Sequence, residues 1–109
     1  MTKGQNGSTE GPITVRIDQD LEEIVPGFLE NRRRDVQTLE HALKKNDLHA
    51  IHMIGHRLKG DGGGYGFDAI SVIGGALEQA AAREDRDVIR RQIAELVDYL
   101  ARVTVVYQR

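Results

Sequence analysis

The spacing of apolar residues in the C-terminal third constrains this chain more than any other feature. Ile89, Ile93, Leu96, Leu100, Val103 and Tyr107 recur at intervals of three and four, which is the pattern of one buried face on an α-helix. The same period runs through Val25, Phe28, Leu29, Val36, Leu39 and Leu43, with only the stem of Arg32 interrupting the stripe. It appears again in Ile70, Ile73, Leu77 and Ala80 or Ala81. A weaker version passes through Leu48, Ile51, Ile54 or Gly55, and Leu58, where glycine and histidine dilute it.

Local signals punctuate these stretches. Asp18 is a candidate N-cap for a short first helix, with Asp20, Glu22 and Glu23 near its positive end. Pro26 suits the first turn of a second helix. Asn46 reads as a stop and Asp47 as the cap of a third. Glycines in the segment Gly60 to Gly66 would weaken that helix and then end it. A fourth helix is expected from Phe67 to about Arg83 and a fifth from Asp85 to about Tyr107. Only short segments such as Ile13 to Ile17 suggest strand. Short connections between long helices favour antiparallel neighbours. The expected fold is therefore all-α: an antiparallel up-and-down four-helix bundle with a short extra N-terminal helix. Residues 1–12, rich in glycine, are expected to be a flexible tail ahead of a single domain over residues 13–109.

Composition narrows the function. A chain of 109 residues can bury one modest core. The net charge of −2 gives no bulk attraction to nucleic acid, and the run Arg32-Arg33-Arg34 reads as a solvated helix face. There is no cysteine, so disulfides and thiolate metal sites are excluded. No apolar run approaches the roughly 20 residues that span a bilayer, so no membrane partner is expected. No signal-peptide pattern is present, and a cytoplasmic location is the expectation.

The third helix carries the chemistry. Each residue advances about 100° around a helix. His56 lies two positions from both Ile54 and Leu58, so if those two face the core, the imidazole faces water. Lys59 and Gly60, three and four positions on, flank it on the same outer face. Helical side chains lean toward the N-terminus, so a bulky residue at 60 would cover the ring. Glycine inside a helix costs about 1 kcal/mol against alanine. Either close packing against a neighbouring helix or access to His56 would account for Gly60. A neutral imidazole is a nucleophile, and the Lys59 ammonium can neutralise part of the charge on a phosphoryl group carried there.

The run His56-Arg57-Leu58-Lys59-Gly60-Asp61-Gly62-Gly63-Gly64-Tyr65-Gly66-Phe67, followed by Leu77-Glu78, resembles the signature of the histidine-containing phosphotransfer (HPt) domain family. The segment Ile24 to Arg33 also resembles the start of bacterial members, and the match spans roughly residues 18–107. The resemblance implies that His56 is the phosphoacceptor through Nε2, Lys59 supports the phosphoryl group, Gly60 gives clearance and Glu78 orients the imidazole through Nδ1. Gly66 sits where the family has a glycine after the histidine helix. The implied function is phosphoryl relay, with His56 taking the group from an aspartyl-phosphate receiver domain and passing it to another. The implied partners are response-regulator receiver domains, with a hybrid histidine kinase as a further candidate, and the implied state is a monomer. No cofactor is expected in this chain, because the Mg2+ belongs to the receiver. His52, Met53, Arg57, Gly63 and Tyr65 are the candidate partner-binding residues. Phe67 could join them, or serve helix packing. The Asp61 to Gly64 run is more glycine-rich than is usual for the family, which leaves the end of the histidine helix open.

Rival readings use the same residues. His49, His52 and His56 form one stripe and suggest an adventitious metal site, although three ligands along one helix cannot easily close a tetrahedron. His41 on another helix reads as solvated. The glycines match neither a Gly-x-Gly-x-x-Gly nor a Gly-Lys-Ser/Thr nucleotide motif. A non-catalytic helical adaptor remains a second class. A histidine kinase dimerisation bundle is a third, and would need an ATP-binding domain for which this length leaves no room.

Overall fold

The computed structural model describes residues 11–109, so all but the last two residues of the expected tail lie outside it. Strand β1 (Ile13–Asp18) leads through a 3-10 turn (Gln19–Leu21) into helix α1 (Val25–Lys44). Helices α2 (Leu48–Gly64), α3 (Asp68–Ala82) and α4 (Arg86–Arg102) follow, and strand β2 (Val103–Gln108) ends the chain. Each helix packs on the next, and α1 also packs on α4, which closes a four-helix bundle. The closest association is between α2 and α3.

The helix ends follow their local chemistry. The Asp47 and Asp85 carboxylates accept the backbone N–H of Ala50 at 3.1 Å and of Val88 at 3.2 Å, which satisfies orphan donors of α2 and α4. Asp18 does the same for Asp20 at 2.8 Å, but the element it caps is a single 3-10 turn rather than an α-helix. Asn46 takes the left-handed conformation just after α1, with φ 59°. Pro26 sits in the first turn of α1.

The apolar stripes meet in one core. Val25, Phe28, Leu29 and Leu39 of α1, Ile51, Ile54 and Leu58 of α2, Ile70, Ile73 and Leu77 of α3, and Ile89, Ile93, Leu96 and Leu100 of α4 are all buried. Phe67, between α2 and α3, is fully buried too and stacks on Phe28 at 5.4 Å, so it serves packing and not a surface.

Two details differ from the periodicity. The last helix ends at Arg102, five residues before the expected limit, and Val103–Gln108 pairs in parallel with Ile13–Asp18, from Ile13↔Val103 to Asp18↔Gln108. The segment Val103-Thr104-Val105-Val106 is entirely β-branched, which favours a pleated backbone once a partner strand is available. Val103, Val105 and Tyr107 turn toward the core, while Thr104 and Val106 are exposed. The second detail is that α2 stays helical as far as Gly64, and the chain turns away just beyond it at Gly66, whose φ of +88° suits glycine. Phe67 N–H then reaches back to the Gly62 carbonyl at 2.7 Å.

Candidate functional site

Three glycines set how closely α2 and α3 approach. A Cβ at Gly74 would lie 2.5 Å from the Lys59 backbone nitrogen and 2.7 Å from the Gly55 carbonyl oxygen. One at Gly55 would lie 2.7 Å from the Glu78 nitrogen, and one at Gly62 would lie 2.5 Å from the Ser71 nitrogen. Real Cβ atoms do not fit such gaps, so the backbones touch only because these side chains are missing. The Ser71 hydroxyl adds a 2.5 Å hydrogen bond to the Lys59 carbonyl.

This contact brings Glu78 of α3 up to the outer turn of α2. His56 Nδ1 and Glu78 Oε2 are 2.8 Å apart, and Lys59 Nζ is 2.9 Å from Oε1 of the same carboxylate. His52 Nε2 approaches Glu78 Oε2 at 4.0 Å. The hydrogen bonds from Lys59 and then His56 hold the Glu78 carboxyl below its ordinary value of 4.5. An ionised carboxylate only accepts, so the geometry assigns the imidazole proton to Nδ1. The Nε2 lone pair is left facing outward: the His56 side chain is 65% exposed, and Nε2 has no hydrogen-bond partner among the described residues.

The surroundings are open. A Cβ at Gly60 would meet nothing within 4 Å, and one at Gly63 only the Ser71 hydroxyl at 3.9 Å. Helix packing therefore does not require either glycine. Met53 is exposed on the same side, and Arg57 is half exposed. Tyr65 is partly buried and stacks on Phe28 with ring centroids 4.3 Å apart, which commits one face of its ring to packing. A groove of about 800 Å3 between α1 and α4, lined by Leu43, Ile93 and Val97 among others, holds none of these residues. The chemistry thus sits on an open surface. His49, His52 and His56 do share a helix, but among the described residues no three His, Cys, Asp or Glu side chains converge to hold a metal ion.

Sequence reasoning missed one cluster. Asp35 of α1 is buried and bridges Arg32, at 2.8 Å, and Arg57 of α2, at 3.2 Å. Arg32 is buried as well, with its guanidinium carbon 4.6 Å from the centre of the Phe28 ring, so only Arg33 and Arg34 of the arginine run are solvated. The available signal was the i, i+3 spacing of Arg32 and Asp35 beside an otherwise apolar stripe.

Among the described residues no helix is long and apolar enough to cross a membrane. No curated protein and no solved structure matches the chain significantly. A family model, that of the Hpt domain, matches residues 23–104 and so takes in all four helices and every residue of the His56 cluster. The chain belongs to the Hpt domain family, whose members serve histidine phosphotransfer in phosphorelays.

Proposed function

We propose that this protein carries a phosphoryl group on His56 Nε2 between receiver domains of a two-component relay. One observation carries the reading: the imidazole is exposed, yet its Nδ1 is tied to Glu78 at 2.8 Å. In the forward step the Nε2 lone pair attacks the phosphorus of a receiver's aspartyl phosphate. The acyl-phosphate P–O bond breaks and the aspartate leaves as carboxylate. The ring gains positive character and keeps its proton on Nδ1, where Glu78 stabilises it. The reverse step, on a second receiver, returns the group.

Lys59 supports the reading through its place on the other oxygen of Glu78. Its ammonium belongs to the same cluster as the ring and can turn to a phosphoryl group that arrives on Nε2. The bare surface at Gly60 supports it too, since an incoming active site must approach the ring to bonding distance. Nothing in this chain need bind nucleotide, because the donor is already an activated phosphate.

The test is incubation of the full chain with a panel of receivers labelled by radioactive phosphate. Acid-labile label should appear on the wild-type chain and not on His56→Gln, whose helical circular dichroism should be unchanged. Label on neither would leave a plain helical adaptor. Label retained by His56→Gln would move the acceptor to His49 or His52.

A further inference from the structure

The exposed face of α2 has two borders. At about 100° per residue, Gly60 lies about 40°, Met53 about 60°, Gly64 about 80° and Arg57 about 100° from His56 on one side. Lys59 and His52 lie on the other side, where Glu78 of α3 meets them. Arg57 therefore marks the α1 border, and it is held there: its Nη2 donates to Asp35 Oδ1 at 3.2 Å. The opposite oxygen of Asp35 accepts from Arg32 Nε at 2.8 Å, and Arg32 Nη1 lies 3.9 Å from Asp61 Oδ2.

Arg32 and Asp35 are only 7% and 8% exposed. Burying two charges carries a desolvation cost that an apolar pair would avoid, so stability alone does not account for them. What the pair does achieve is a fixed acceptor for Arg57. That side chain is still 54% exposed, and its remaining N–H donors have no partner among the described residues.

We propose that Asp35 is a positioning residue that holds Arg57 at the α1 border of the docking face, as a preset cation for an acidic side chain of the incoming receiver domain. A tethered guanidinium loses less freedom on docking than a free one and presents its open donors in one direction. The inference rests on the phosphotransfer reading and adds a recognition element that reading does not need.

The probe is the phosphorylated receiver that charges the wild-type chain. Arg57→Gln should raise its KM about tenfold with kcat unchanged, and should flatten the rise of KM with salt. Asp35→Asn should raise KM in the same direction. Added to Arg57→Gln, it should change KM little, because it acts through Arg57. Arg57→Lys should restore only part of the loss, since a lysine cannot hold Asp35 and a second acid in one plane. Thermal unfolding is recorded for every variant. If Asp35→Asn fails to fold, Arg57→Gln and Arg57→Lys together decide the matter, and a lysine that serves as well as the arginine would remove the role of Asp35. An unchanged KM in Arg57→Gln, a fall in kcat alone, or additive effects in the double variant would overturn the inference and leave the phosphotransfer reading standing. A wild-type chain that no receiver charges would remove both.

Discussion

The same substitution at two glycines, Gly74→Ala and Gly60→Ala, should change stability in opposite directions. At Gly74 the new Cβ would meet the Lys59 nitrogen at 2.5 Å, the Gly55 oxygen at 2.7 Å and Leu58 Cβ at 2.7 Å. Two of these are backbone atoms that cannot rotate away, and ordinary contact begins at 3.4 Å, so α2 and α3 would have to separate by nearly 1 Å. Overpacking of this kind costs about 1–3 kcal/mol, and three simultaneous contacts argue for the upper end. Alanine returns about 1 kcal/mol of helix propensity. The net expectation is a loss of about 2 kcal/mol, or about 10 °C in Tm for a domain of this size. At Gly60 no atom lies within 4 Å of the new Cβ, so only the propensity remains, and Gly60→Ala should gain about 0.5–1 kcal/mol. Urea unfolding followed by circular dichroism at 222 nm measures both. A Gly74→Ala protein as stable as the wild type, or a destabilised Gly60→Ala, would refute the division between glycines that let helices touch and glycines that do not.

Ile17 is 2% exposed although it lies in a strand outside the bundle, so Ile17→Ala should cost about 3 kcal/mol in urea unfolding; a negligible loss would mean β1 is only an appendage. Glu78 has its carboxyl held below 4.5 by Lys59 and His56, so its contribution is present above that value and disappears as pH falls through the lower folded-state value. The stability difference between wild type and Glu78→Gln should accordingly shrink as pH falls below about 4.5, and a difference that grows on acidification would contradict the assignment. Lys59→Ala should slow transfer about tenfold or more without changing the fold, as read by single-turnover transfer from a receiver; an unchanged rate would remove Lys59 from the chemistry.

Much of the site could be read from the chain because it depends on local geometry. The outward direction of His56 follows from its two-residue offset from Ile54 and Leu58, both of which are buried. Lys59 and Gly60 follow from helical neighbourhood alone. Glu78 lies 22 positions away from His56, so spacing could not connect them, and only the family resemblance pointed to it. The reason the two meet is the touching of α2 and α3 at Gly55, Gly62 and Gly74, and glycine in a helix does not announce which neighbour it admits. Arg32 illustrates a different limit. Its stem was legible as part of the α1 stripe and its i, i+3 spacing to Asp35 hinted at a pair, but nothing local shows that Asp35 also meets Arg57 of α2. The last strand was hidden because Val103 and Tyr107 satisfy both a helical and an alternating pattern. Only β1, at the far end of the chain, decides between them.

Phosphorylation chemistry on a histidine has two possible nitrogens, and the Glu78 hydrogen bond leaves one of them free. Nitrogen-15 and phosphorus-31 NMR of the receiver-charged chain, with histidine labelled in the ring, reads the site without any mutation. A single phosphoramidate at His56 Nε2, with the proton retained on Nδ1, is the outcome that follows from this geometry. Phosphate on Nδ1, or on the ring of His49 or His52, would show that the Glu78-bound imidazole is not the acceptor.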